Sequence, residues 1–292
     1  MRRPRLLRHA AAALALSPAT LIVLVVYVGC AIWSIRISMT ASRILPSDRF
    51  VGLRQYETLL ANTRWEVSVV NLAVFGGLFV LLALALGFLL AILIDEKVRG
   101  ENLFRSLFLY PFSMSFIVTG LVWQWLLNPS LGIQKLGRDL GFPDFRFDWI
   151  VDQQMVIFTV VIAAVWHGAG LVMAIALAGL RGIDAEIWKA IRVDGIPTWR
   201  AYVSVILPML GGSLATATVL LAISVVRLYD LVVAMTNGGP GLASEVPAKF
   251  VIDHLFDRQN IGLATAATTV MLITVLAVVA PWLYAQQRGR TA

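Results

Sequence analysis

Residues 182–208 read GIDAEIWKAIRVDGIPTWRAYVSVILP, a polar, charge-mixed stretch set between two long apolar runs. Asp184 is placed as a helix N-cap, and Ile187, Ala190 and Ile191 recur at the three- and four-residue spacing of one apolar face. Gly195 breaks that helix, and Pro197 stands where a second can start, since a proline in the first turn gives up no hydrogen bond. The second helix runs through Trp199 and Tyr202 into Leu207-Pro208. This pattern predicts a helix-turn-helix lying on a membrane surface.

The flanking composition requires the membrane. The chain has 292 residues, 59% hydrophobic and 14% charged, with a mean hydropathy of +0.81, far too apolar for a soluble domain. Six uncharged windows (histidine not counted) cover residues 10–35, 67–94, 106–134, 153–180, 201–226 and 259–287. Each exceeds the roughly 20 residues that cross a bilayer as a helix, the open-chain form that satisfies its own backbone there. A seventh window, 231–244, has 14 residues and contains Asn237-Gly238-Gly239-Pro240-Gly241, so it reads as a broken or re-entrant segment.

Basic residues orient the spans. With the N-terminus inside, segments 1–9, 94–106, 181–204 and 285–292 hold 13 Lys and Arg in 54 positions, and the opposite loops hold 10 in 79. That asymmetry puts both termini in the cytoplasm. Arg2, Arg3, Arg5 and Arg8 contribute much of the +7 net charge, which anionic lipid explains better than nucleic acid. The first apolar run continues to Ile35, longer than the roughly 7–15 residues of a signal-peptide core, so it reads as a span. Cys30 is the single cysteine, which excludes an intrachain disulfide and a thiolate metal site.

The 182–208 stretch resembles the "EAA" loop of binding-protein-dependent ABC importer permeases: Glu-Ala-Ala, three residues, Gly, nine residues, Ile, one residue, Leu-Pro. The matching positions are Lys189-Ala190-Ile191, Gly195, Val205 and Leu207-Pro208, with the spacing kept. In that family the loop docks into a cytoplasmic ATPase. The resemblance implies an ATPase-coupling surface made by Ile187, Lys189, Ala190, Arg192, Asp194, Gly195, Trp199 and Pro208. Lys189 departs from the usual glutamate and leaves that carboxylate to a partner subunit.

Two further stretches carry the same resemblance. Phe50-Val51-Gly52-Leu53-Arg54-Gln55-Tyr56 is similar to the "FVGLxNY" segment of sugar-importer permeases. Val226-Arg227-Leu228-Tyr229-Asp230, followed by Met235-Thr236-Asn237-Gly238-Gly239-Pro240, is similar to their "F-K-x-F-D... T-G-G-G-P" signature, with Asn237 replacing one glycine. Arg227 and Asp230 stand three residues apart, so on one helical face they can pair. Two readings are open for Arg227, Tyr229 and Asp230: the edge of a substrate cavity, where ionisable groups in spans usually face, or a salt bridge that only stabilises a helix end.

Trp166-His167-Gly168-Ala169-Gly170 precedes the 182–208 stretch by about three helical turns. An aromatic ring stacks on the C–H face of a sugar while a polar side chain bonds its hydroxyls, and the resemblance places Trp166, His167 and Gly168 in the substrate path. Packing alone is the competing reading of these residues. Phe112 and Phe116, after Pro111, are candidates for an aromatic lining of the same path. Trp123, Trp125, Trp149 and Tyr229 fall near the outer boundaries of spans, where amphipathic rings settle without further role.

No G-x-x-x-x-G-K-[ST] loop occurs in the chain, so ATP hydrolysis has to come from a partner. His9, His167 and His254 lie in separate segments, and no H-E-x-x-H or G-x-S-x-G sequence is present. No carboxylate lies inside the six windows, which disfavours an ion-coupled carrier. The expectation is therefore an all-α membrane protein with six transmembrane helices, both termini cytoplasmic, and a cytoplasmic helix-turn-helix between helices 4 and 5. It forms a single permease domain over 1–292 with its core at 67–284. The chain itself binds no cofactor; ATP and Mg belong to a partner ATPase dimer. A second homologous permease, an extracytoplasmic sugar-binding protein and membrane lipid complete the partners, in a bacterial cytoplasmic membrane. The resemblance is closest to glucose/mannose-type permeases. An ion-coupled carrier, a non-transporting scaffold and a permease for another polar solute such as polyamine or phosphate are the alternatives.

Overall fold

The computed structural model describes residues 14, 16–96 and 99–289, the side chains of residues 278–289 excepted. Helices account for every regular element among the described residues, and one isolated bridge pairs Thr40 with Phe50. In chain order they are α1 (Leu16–Ser38, with a wide π turn at Val23–Val28), α2 (Arg54–Leu60), α3 (Thr63–Asp95), α4 (Glu101–Ser113), α5 (Phe116–Leu126), α6 (Ile133–Asp139) and α7 (Val156–Arg181). Then follow α8 (Ala185–Val193), α9 (Thr198–Met209), α10 (Gly211–Val226), α11 (Asp230–Met235), α12 (Pro247–Ile252) and α13 (Ile261–Gly289).

Three helices, α1, α3 and α7, are long and apolar enough to cross a membrane, and the number rises to five if each of two bent pairs is one span. The bent pairs correct the expectation of uninterrupted helices in the third and fifth windows. Helix α4 meets α5 at 100° and α9 meets α10 at 73°. Proline explains the first, and the pair Gly211-Gly212 stands at the second. Pro111 removes a backbone donor in the last turn of α4, Met114 and Ser115 turn extended, and the Ser115 hydroxyl then caps α5 by accepting from the Val118 N–H at 3.3 Å. Pro208 follows a π turn at Tyr202–Ile206, which relieves the clash of its ring with the carbonyl one turn back, and the axis breaks at Leu210.

The chain forms two compact units. In the unit made of residues 1–65 and 250–292, α13 packs against α1 and α2 around Leu59, Trp65, Phe250, Leu263, Ala266 and Ala267. Arg64 pairs with Asp253 while its guanidinium lies 5.8 Å from the Phe250 ring centroid. His254 Nδ1 donates to the Phe250 carbonyl at 2.9 Å, and burial holds the imidazole below its ordinary pKa.

In the unit made of residues 66–249, α7 is the central rod, with 72% of its apolar window buried. It packs against α4, α5, α10 and α11. Small residues permit this, since backbones approach only where no side chain intervenes. A Cβ at Gly170 would stand 2.0 Å from the Phe108 carbonyl oxygen, so α4 touches α7 backbone to backbone. The unit has two cores. One surrounds Phe75, Phe79, Val160, Ala164, Leu221, Leu228 and Leu231. The other joins Met173, Ala176, Leu177 and Leu180 of α7 to the 182–208 stretch.

Candidate functional site

The helix-turn-helix is built from its sequence outward. Asp184 caps α8, its carboxylate accepting from the Glu186 N–H at 2.9 Å. At the far end the Ile196 N–H donates to the Ile191 carbonyl and the Gly195 N–H to the Arg192 carbonyl, both at 3.2 Å. This double bond pattern is the Schellman closure, and Gly195 takes its left-handed position with φ of +63°. Pro197 then stands one residue before α9, as its N-cap.

The inner face of this motif is packed and the outer face is bare. Ile187, Trp188, Ile191, Ile196, Tyr202 and Ile206 join the α7 core, and the Trp188 and Tyr202 rings meet edge-on at 5.6 Å. Lys189, Ala190, Arg192, Asp194, Gly195 and Trp199 are all exposed, Trp199 at 71% and the neighbouring Val193 at 85%. Ile187 is half-buried and belongs to the inner face, whereas Pro208 is exposed just past Ile206, which is buried in the same core. The motif thus presents an exposed tryptophan and valine on the side away from its packed face. Lys189 is ion-paired along its own helix, Nζ to Glu186 Oε1 at 2.7 Å. Lys189→Glu replaces that pair with two like charges, a loss of only about 0.5 kcal/mol on an exposed helix. It is expected to lower transport coupling while leaving the amount of chain in the membrane unchanged, as uptake and stimulated ATP hydrolysis in vesicles would report.

An ionic cluster ties the motif to neighbouring helices. Arg181, at the end of α7, reaches Glu101 at 2.7 Å and Asp95 at 3.6 Å, and Arg105 stands 3.8 Å from Glu101. The ends of α3, α4 and α7 are thus clamped three residues before Asp184. The sequence reading missed Arg181, since its partners lie 80 and 86 residues away in the chain.

The path candidates fall into one aromatic group. His167 is 5% exposed, stacked on Phe116 with centroids 4.3 Å apart, and Phe112 lies 5.8 Å away. Its Nδ1 lies 3.2 Å from Thr119 Oγ1. Trp166 is 37% exposed and meets Trp123 edge-on at 6.0 Å. Of this pair, Trp166 is the ring with open surface, and His167 orients the wall behind it. Gly168 admits Phe79, whose ring would stand 3.1 Å from a Cβ there. Thr119 and Trp123 were not among the sequence candidates. Phe116, Thr119 and Trp123 nevertheless follow at three- and four-residue steps on one face of α5, the signal that could have found them.

Arg227, Tyr229 and Asp230 lie where α10 ends and α11 begins. The expected pairing of Arg227 with Asp230 is not formed: the helix stops at Val226, the two residues no longer share a face, and both are exposed. The flanking Leu228 and Leu231 join the core on which Phe116 and Trp123 pack, so the break borders the aromatic group. Past α11, Asn237 takes a left-handed φ of +52°, a conformation asparagine tolerates better than most side chains and one suited to the glycine it replaces.

The family described as "Binding-protein-dependent transport system inner membrane component" matches residues 68–291. A "Probable ABC transporter permease protein" of Pyrococcus horikoshii is 34% identical over 276 residues, 94% of each chain. The "Xylose/arabinose import permease protein" of Haloferax volcanii is 30% identical over 83% of this chain and 77% of its own. A chain in the crystal structure of a bacterial ABC transporter that imports the acidic polysaccharide alginate superposes with a TM-score of 0.80 over 99% of both chains, at 17% identity.

Proposed function

The chain belongs to the family of binding-protein-dependent transport system inner membrane components, and on that premise we propose that it is the membrane-spanning subunit of an ATP-driven importer of a small neutral sugar. A monosaccharide such as glucose or mannose is the first choice and a short oligosaccharide the second. The observation that carries this reading is one helix. Helix α7 holds Trp166 and His167 near its middle, and its last turns are packed into the helix-turn-helix. From His167 to Leu180 the rod covers about 20 Å at 1.5 Å per residue. Movement imposed on the exposed face of α8 is thereby delivered to the aromatic group without a flexible joint.

In this proposal the six crossings are α1, α3, α4 with α5, α7, α9 with α10, and α13, whose 29 residues reach about 43 Å. Both termini and the α8–α9 motif face the cytoplasm, and the membrane is the bacterial inner one. A second permease subunit, an ATPase dimer carrying ATP and Mg, and an extracytoplasmic sugar-binding protein complete the assembly. Closure of the ATPases displaces the 184–205 loop, turns α7 and α9–α10, and opens the cavity outward; hydrolysis returns it inward. The chain itself breaks no bond. The sugar class is supported by the name of the Haloferax relative and by the aromatic and neutral character of the Trp166 region.

Trp166→Ala tests the path. The half-open ring has an exposed face to offer a sugar, so its loss is expected to lower uptake by vesicles containing the full complex about tenfold. ATPase co-purifying with the chain should stay at its normal amount. Equal loss of both would make Trp166 a packing residue.

A further inference from the structure

We infer that the chain holds a second sugar contact apart from the Trp166 group: a cavity of about 380 Å³ between the end of α5 and the turn after α11, suited to a neutral, hydroxyl-rich ligand. The ligand class rests on the proposed sugar import; the site is additional to it. Gln124, Asn128, Ile150, Val233, Met235 and Asn237 are among the residues that line it.

The walls are fixed. Helices α5 and α11 cross so closely that a Cβ at Gly120 would stand 2.7 Å from the Ala234 methyl. The turn after α11 is held by Thr236 Oγ1 against Ser244 Oγ at 2.7 Å and by the Ser244 hydroxyl donating to the Gly239 carbonyl at 2.8 Å. Asn71 Nδ2 donates to the Leu242 and Glu245 carbonyls at 3.1 and 3.0 Å and secures its far side. A ligand meets a surface already in place.

The chemistry is that of three side-chain amides among apolar side chains. Among the described residues, the amides of Gln124 and Asn237 make no hydrogen bond within the chain, although Gln124 is half-buried. Asn128 Oδ1 accepts from the Ser130 and Leu131 N–H groups at 2.8 and 3.2 Å, which leaves its two N–H donors for a ligand. An amide donates to one hydroxyl of a vicinal diol and accepts from the next. A half-buried amide without an internal partner favours a ligand or water that supplies one. No Asp, Glu, Lys, Arg or His lines the cavity, so an ionised ligand would shed water and find no opposite charge. The volume lies at the small end of the roughly 300–1,000 Å³ of small-molecule sites, the range of one or two sugar rings. Asn237 stands where the sugar-permease pattern quoted above has glycine.

Two variants test the site: Asn237→Gly, which keeps the left-handed turn and removes the amide, and Gln124→Leu combined with it. In vesicles containing the full complex, the glucose or xylose concentration that half-saturates uptake is expected to rise about tenfold in the double variant and severalfold in Asn237→Gly. Calorimetric titration of the full chain in nanodiscs should saturate with glucose or xylose in the wild type, respond weakly in the variants, and show no response to glucuronate. Wild-type and variant curves that coincide would overturn the inference, as would glucuronate binding as well as glucose, or a wild-type chain that gives no saturable signal because the cavity holds only water. Failure of the sugar-import reading is distinguishable, because the wild-type complex would then take up none of the probe sugars; that result removes the ligand class and overturns the inference with it.

Discussion

Gly195→Val should abolish transport while the chain remains in the membrane. Nothing lies within 4 Å of a Cβ at this position, so the damage comes from the backbone. At φ of +63° a β-branched residue meets its own backbone, at a cost of at least about 1–2 kcal/mol. Relief requires a change of φ, and that breaks the two bonds closing α8 onto Gly195 and Ile196. Ile196 then leaves the core it shares with Ile191 and Tyr202. The expected result is uptake reduced more than tenfold, normal membrane insertion, and loss of ATPase stimulation. Uptake at the wild-type rate would remove the motif from the coupling mechanism. Gly195→Asn, which tolerates the left-handed region, should retain most of the activity and so separates backbone conformation from side-chain bulk.

Arg181→Glu should give the second-largest loss. The substitution places a third carboxylate beside Glu101 and Asp95, converting attraction at 2.7 and 3.6 Å into repulsion. The Arg181 side chain is 41% exposed, so water screens the effect and the stability change stays near 1 kcal/mol, too little to unfold the chain. The functional consequence is larger because the cluster fixes the ends of α3 and α4 to α7 just before α8. Uptake is expected to fall about tenfold and to become steeply dependent on salt concentration. The swap Arg181→Glu with Glu101→Arg should recover part of it. A swap no better than the single substitution would mean that Arg181 acts through something other than these carboxylates.

Much of the architecture was legible because charge and spacing encode it directly. Asp184 and Gly195 begin and end α8 where expected, since a short acceptor side chain and a residue free of a Cβ are local requirements that no tertiary contact has to supply. The bends were not legible in the same way. A window without charges reports how much chain prefers lipid and carries no information on its direction, so windows 106–134 and 201–226 looked uninterrupted although Pro111 and Pro208 stand within them. The Arg227–Asp230 pairing failed for a related reason: a three-residue separation means a shared face only where the helix continues, and it stops at Val226. In the aromatic group, Phe112 and Phe116 are four residues apart across the bend and meet His167 from far along the chain, while Thr119 carries no such signal because a hydroxyl in an apolar helix usually bonds its own backbone.

The backbone contact at Gly170 has a geometrical corollary. With no side chain between it and the Phe108 carbonyl, α4 cannot slide past α7 without collision, so the two travel together. A pivot of about 10° at the Leu180 end then sweeps the level of His167, about 20 Å along the rod, through roughly 3.5 Å. That displacement exceeds the reach of a hydrogen bond, so a modest tilt at one end is enough leverage to make or break one at the other.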